Sequence, residues 1–199
     1  MSLRLDINGE VCFTDFRRTD VAALVEGLND RVIYERTLRI PYPYTPLDAQ
    51  KWLSLIEADA GAMWPLVGAI RDLDGRLIGS MGLERNCRTD DPVCELGYWL
   101  AKPFWGRGIV TAAVRTICRH AFETIGLTKI TANVFSFNDA SARVLEKCGF
   151  QYEGLLKDQV RKDGRSIDVK LFSLLRPPTT TNGRSNDSLP ASGDEGRRG

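Results

Sequence analysis

The residues best equipped for chemistry lie between positions 95 and 141. Glu95 precedes a loop, Trp105-Gly106-Arg107-Gly108, and Ile109-Val110-Thr111 then opens a run whose apolar residues recur at helical spacing. The first N–H groups of a helix lack internal partners and sit at the positive end of its dipole, which suits an anion such as a phosphate. Gly106 and Gly108 carry no Cβ, so backbone can approach such a group closely and adopt positive φ, and Arg107 adds a cation. A short strand-to-helix connection that needs glycines for geometry alone explains the same residues equally well. Two nucleotide-binding patterns fail. A P-loop needs a lysine and a hydroxyl after its last glycine, and a dinucleotide loop needs a third glycine and an acid about 20 residues on. Glu95, on the strand leading to the loop, reads as a proton acceptor or as a strand-pairing or surface glutamate. Asn138 and Ser141 read as binding groups or as a helix cap with a hydroxyl three residues in.

A scaffold must hold these residues, and the composition permits one. The chain has 199 residues, 43% of them hydrophobic, enough to bury one sizeable core in a single domain. Twenty-seven Lys+Arg against 26 Asp+Glu leave a formal charge of +1. A nucleic-acid clamp or a polybasic membrane binder needs clustered surplus cations, so neither partner is expected. Cys12, Cys87, Cys94, Cys118 and Cys148 form no CxxC pair, and His120 is the one histidine. A disulfide framework and a metal centre are therefore both unexpected. No apolar run approaches 18 residues and Met1–Arg4 lacks a basic-then-apolar leader, so a soluble cytoplasmic protein is expected.

Periodicity and turn residues set the elements. Val11–Phe16 reads as a strand, and Thr19 as the N-cap of a helix to about Asn29. Thr45-Pro46 opens a second helix with Trp52, Leu53 and Ile56 inward. Trp64–Arg71 and Arg76–Leu83 are expected to pair across Asp72–Gly75, followed by a strand at Val93–Leu100. A helix is predicted over Ile109–Ile125, stopped by Gly126, then a strand at Lys129–Phe135 and a helix at Asp139–Cys148. Strands at about 150–161 and 165–175 meet at Lys162-Asp163-Gly164. The order β-α-α-β-β-β-α-β-α-β-β predicts one α/β (α+β) domain over residues 1–176, built on a mixed, mostly antiparallel sheet with flanking helices. From Pro177 the chain is polar, with Leu189 its one large apolar residue, so 177–199 is expected to be a disordered tail.

ELGYWLAKPFWGRGIVTAAV, followed by NVFSFNDASARVLEKCGF and EGLLKD, resembles the GNAT superfamily of acetyl-CoA-dependent N-acetyltransferases. The nearest branch is the one with ribosomal-protein alanine acetyltransferases of the RimJ/RimL type. The likeness is dense over residues 93–175 and looser over 11–84. It implies a sheet splayed at strand 93–100 to form a cofactor cleft. The family's diphosphate pattern falls on Trp105 to Val110. Gly108 matches it, Trp105 stands in for a basic or amide residue, and Val110 for a small one whose extra bulk would push the helix from the diphosphate. The resemblance implies that main-chain groups of Trp105, Gly106, Arg107, Gly108, Ile109, Val110 and Thr111 grip the diphosphate. Main-chain groups of Tyr98 and Leu100 would bond the pantetheine arm as an added strand. Asn138 matches the asparagine that bonds the pantetheine, and Ser141 the hydroxyl near the thioester sulfur.

The implied activity is acetyl transfer to a primary amine, on a peptide or a small molecule, by direct attack in a ternary complex. Glu95, or a water it orders, is the expected base, and a main-chain N–H near Leu100 the expected oxyanion donor. Many members carry at position 145 a tyrosine that protonates the departing thiolate. Leu145 here leaves that role to Ser141, to water or to nothing. A non-catalytic acyl-CoA-binding module is the rival reading, and a homodimer stays open. His120 is expected to be solvated, Cys94 and Cys148 to be small buried residues rather than acyl relays, and hairpin 157–168 to be a solvated turn. Trp52 is expected in the core, while Tyr42 and Tyr44 fit either the core or the acceptor mouth.

Overall fold

The computed structural model describes residues 3–59, 61–85 and 92–178. Strands β1 (Arg4–Asp6) and β2 (Cys12–Thr14) are joined by a turn in which the Asp6 and Asn8 side chains accept from the backbone N–H groups of residues 9–11. A 3₁₀ turn at Arg18–Asp20 leads into α1 (Val21–Leu28), α2 (Arg31–Arg36) and α3 (Pro46–Asp59). Then follow β3 (Leu66–Arg71), β4 (Leu77–Arg85), β5 (Val93–Leu100), α4 (Ile109–His120), β6 (Lys129–Phe135), α5 (Asp139–Lys147), β7 (Gln151–Lys162) and β8 (Arg165–Leu175).

Among the described residues these make an eight-stranded sheet in the order β1-β2-β3-β4-β5-β6-β8-β7. The β5–β6 pair is parallel and the other pairs are antiparallel. The period of two along β5 separates two apolar clusters. Cys94, Leu96, Tyr98 and Leu100 face one with Leu83, Ile117, Ile130, Leu145 and Phe172, covered by α4 and α5. Trp99 faces the other, with Leu24, Leu28, Ile33 and Ala49 of α1–α3. Each fully buried Leu or Ile contributes roughly 1.5–3 kcal/mol, so β5 is clamped from both sides.

The Arg71 side chain, 1% exposed, ties the first half together. It donates to both carboxylate oxygens of Asp20 at 2.8 and 2.7 Å, to Thr14 Oγ1 at 2.7 Å and to the Asp15 carbonyl at 3.2 Å.

Several expectations need correction. Thr19 lies inside the 3₁₀ turn, and the helix starts at Val21 because the Asp20 carboxylate closes the turn on the Arg17 N–H. The expected strand 11–16 shrinks to Cys12–Thr14. The expected helix 109–125 ends at His120 and finishes as one wide π-helical turn before Gly126, which has a φ of +85°. β1 and α2 were not expected: three and six residues are too short to show a period. α2 exists because the Asp30 carboxylate accepts from Val32 and Ile33 N–H. Cys87 and residues 179–199 of the expected tail lie outside the described residues.

Candidate active site

β5 and β6 pair only through Val93↔Lys129, Cys94↔Ile130 and Glu95↔Thr131. Beyond that point they part, although β5 continues against β4 to Leu100 and β6 against β8 to Phe135. The result is a fork inside the sheet. The Ala101 N–H donates to the Ile78 carbonyl at 2.8 Å, and the β4–β5 register runs unbroken from there. Odd-numbered residues of β5 thus bond to β4, and the main-chain groups of Leu96, Tyr98 and Leu100 point into the fork. They form an open strand edge, the feature an amide-bearing chain can pair with. The Trp105 indole N–H donates to the Leu100 carbonyl at 2.6 Å and folds the following loop over the end of this edge.

The edge leads to the start of α4. Gly106 and Gly108 hold φ of +74° and +76°, and a Cβ on either would meet nothing within 4 Å. Gly108 caps the helix without a side chain, and the first intrahelical bond runs from Ala112 N–H to its carbonyl at 3.0 Å. The amides of Ile109, Val110 and Thr111 therefore precede the hydrogen-bonded ladder. Residues 105–108 are exposed, and the Arg107 guanidinium lies 5.8 Å from the Phe104 ring centroid. Ile109 is buried, and half-buried Val110 packs on the core, so its extra carbons go inward rather than onto the loop. Open room, unladdered amides and a cation fit a diphosphate.

The two faces of β5 carry different groups. Glu95 sits where the strands part, on the face of α1–α3, with Glu84 directly opposite in β4. Arg39, between α2 and α3, donates to both Glu84 oxygens, one bond being Nη1 to Oε1 at 2.9 Å. This pairing holds the Glu84 carboxyl below its ordinary range. Burial pushes the Glu95 carboxyl up and the Glu84 charge adds to the push, while a hydrogen bond with the Asn133 side chain and the Arg39 charge oppose it. A carboxylate with raised proton affinity is a better base near neutrality.

On the other face, Asn138 caps α5, its Oδ1 accepting from Ser141 N–H at 3.4 Å. The Ser141 hydroxyl lies 2.6 Å from the Tyr98 phenol oxygen. Leu145 is fully buried in the core and brings no hydroxyl near them. The fold thus brings Tyr98, Asn138 and Ser141 together and sets Glu95 on the opposite face of β5.

Hairpin 157–168 is largely exposed, as a solvated turn should be, yet it also makes specific contacts. Its tip docks on α2: the Tyr34 phenol donates to Asp163 at 2.6 Å, and Lys162 lies 3.6 Å from the Tyr34 ring centroid while donating to the Thr37 carbonyl at 2.6 Å. The Tyr42 ring leans on Tyr34 at 5.5 Å. Tyr44 is buried and pushed up to about 12 by burial, and Trp52 packs edge-on against Phe16 and Trp64. His120 is half-buried at the end of α4. Burial raises the Cys118 thiol to about 12 and raises Cys148 too, so neither supplies the thiolate an acyl relay needs. Among the described residues no group of three or more His, Cys, Asp or Glu could hold a metal ion, and no helix is long and apolar enough to cross a membrane.

A model of the acetyltransferase (GNAT) domain matches residues 10–151. The chain belongs to this family. It is 38% identical over 104 residues to the probable N-acetyltransferase YjcK of Bacillus subtilis, covering 52% of this chain and 58% of the relative. It is 30% identical over 104 residues to the [ribosomal protein uS5]-alanine N-acetyltransferase of Escherichia coli, covering 52% and 54%. The chain thus spans little more than half the length of these curated relatives. Mycobacterium smegmatis RimJ, solved with CoA-disulfide, superposes with a TM-score of 0.73 at 25% identity, covering 88% of this chain and 86% of that one. The GNAT architecture of one mixed sheet with flanking helices is the one seen here.

Sequence reasoning overlooked Glu84, Asn133 and the side chain of Tyr98, and it read Arg39 only as part of a loop, 39–44, over the acceptor mouth. Glu84 escaped because the expected strand stops at Leu83, whereas β4 runs on to Arg85 and sets Glu84 opposite Glu95. Nothing local marks Arg39.

Proposed function

We propose that the chain transfers the acetyl group of acetyl-CoA to a primary amine by direct attack in a ternary complex. The observation that carries this reading is the fork: an open edge of β5 that starts at a carboxylate with raised proton affinity and ends at the bare amides of α4. Acetyl-CoA supplies the activated acyl group as a thioester. Main-chain groups of Tyr98 and Leu100 hold its pantetheine arm, with Asn138 beside them, and the amides of 106–111 with Arg107 hold its diphosphate. Glu95, directly or through water, takes a proton from the incoming ammonium, because an amine attacks only when neutral. A main-chain N–H near Leu100 faces the developing oxyanion. A thiol of pKa about 8.5 leaves readily as thiolate, so a hydroxyl that only donates a hydrogen bond, Ser141, suffices where Leu145 offers none.

The acceptor is an amine on a peptide N-terminus or a small molecule, the first being the class named for the Escherichia coli relative. A leucine at 145, with no hydroxyl to offer, favours the rival reading, a binding module without turnover. Two measurements separate them. Acetyl-CoA at a thousandfold its Kd should stabilise the protein by about 4 kcal/mol. Gly108→Val, which forces a branched residue into a φ of +76° at the helix cap, should remove most of that shift. A panel of N-terminal peptides and small amines should then release free thiol. Stabilisation without release from any amine supports the module, and no stabilisation at all overturns both.

A further inference from the structure

Tyr98 enters the reading above through its main chain, yet its side chain touches Ser141, the hydroxyl which that reading sets beside the sulfur. The phenol oxygen lies 2.6 Å from Ser141 Oγ and 3.4 Å from the Ser141 carbonyl. The ring reaches there because even-numbered positions of β5 face α5, while Asn138 fixes the first turn of that helix. Either hydroxyl could donate in the short contact, and the choice decides what Ser141 can do. A serine in a first helical turn has other places to send its proton, including the carbonyls three and four residues back, and one that donates there or to Tyr98 has nothing left for a substrate.

Burial pushes the Tyr98 phenol up to about 12, so it keeps its proton at every working pH. It is thus a permanent donor, and at the same time too weak an acid to protonate a thiolate whose thiol has a pKa of about 8.5. A proton relay from Tyr98 is therefore uphill by about three to four pKa units, which leaves orientation as its contribution. When the phenol donates to Ser141 Oγ, the serine lone pair is occupied and its own O–H turns away, toward the fork.

We propose that Tyr98 is a positioning residue for acetyl transfer, its phenol fixing the Ser141 hydroxyl so that this donates to the thioester sulfur. The proposal rests on the acetyltransferase reading. As the N–C bond forms and the C–S bond breaks, the electron pair of the latter goes to sulfur, which departs as a thiolate carrying the Ser141 hydrogen bond. Tyr98 gives up no proton, and solvent supplies the one the thiolate finally takes.

The test compares Tyr98→Phe, Ser141→Ala and the double variant with the unaltered protein, using an amine that the unaltered protein acetylates. One oriented hydrogen bond is worth about three- to tenfold in rate. Tyr98→Phe should lower kcat by about that factor while leaving the KM for acetyl-CoA and the melting temperature nearly unchanged. Ser141→Ala should lose at least as much, and adding Tyr98→Phe to it should cost nothing further. A structural role for the phenol predicts instead that the loss persists in the Ser141→Ala background. Multiplying losses, or an unaffected Tyr98→Phe, overturn the proposal while leaving the transferase reading intact. If the unaltered protein binds acetyl-CoA but acetylates no amine, the transferase reading falls and this one with it.

Discussion

Glu95→Gln is expected to lower kcat/KM for the amine by about a hundredfold or more, the usual loss when a positioned general base is removed. The substitution keeps the size of the side chain and its capacity to bond Asn133, so the KM for acetyl-CoA should hardly move. The pH profile gives the sharper reading. A base works only when deprotonated, and burial has raised the proton affinity of Glu95 above that of an ordinary glutamate. Activity should therefore fall as pH is lowered through that raised pKa, an acid limb displaced upward from that of an ordinary glutamate. At higher pH the rate should keep rising until the amine itself is neutral, near 7.7–8.0 for an α-amine. Glu95→Gln should erase the acid limb and leave the amine limb. Arg39→Ala should move the acid limb upward, because it removes a cation and leaves Glu84 uncompensated opposite Glu95. A loss below about tenfold, roughly 1.4 kcal/mol, with the limb unchanged, would take Glu95 out of the chemistry.

The largest stability effect should come from Asp20→Ala. It strips the carboxylate from a guanidinium that is 1% exposed and that links the 3₁₀ turn to β2 and β3. Leaving a buried charge unpaired typically costs about 3–5 kcal/mol. In a domain of this size that lowers the melting temperature by roughly 10 °C. Circular dichroism melts and urea titrations measure it directly. The exposed Arg18–Glu57 pair, with side chains 85% and 60% accessible, is the internal control. Glu57→Ala should leave stability nearly unchanged, since solvent screens such contacts. The double replacement Asp20→Leu, Arg71→Met should recover much of the loss, because the penalty belongs to the orphaned charge rather than to the missing attraction.

What could be read from the sequence follows from how local its cause is. β5, β6 and β8 came out with their observed ends because apolar residues recur along each and turn residues or proline bound it. The α4 start was legible for the same reason: Gly106 and Gly108 are needed where φ is positive, and Gly-x-Gly ahead of an amphipathic run is a local signal. β1 and α2 escaped because three and six residues are too short to show a period, although β1 lies with Leu5 opposite Phe13 and the Asp30 carboxylate caps α2. The site divided along the same line. Glu95, Asn138 and Ser141 sit in recognisable stretches. The Arg39–Glu84 pair, the Tyr98–Ser141 contact and the Tyr34–Asp163 clasp each join segments 43 to 129 residues apart. No spacing rule encodes such pairings; they exist only once the sheet order is known. The hairpin tip was read as solvated for its charge, yet Lys162 spends its methylenes and ammonium on the Tyr34 ring and the Thr37 carbonyl.

The central claim is that the gap between β5 and β6 is completed by the coenzyme acting as the missing strand. A crystal structure of the full chain with CoA tests it most directly. The expected result is a pantetheine arm bonded to the main chain of Tyr98 and Leu100, a diphosphate on the amides of 106–111, and sulfur beside Ser141. CoA bound elsewhere, or β6 closing onto β5 as far as Leu100, would contradict it.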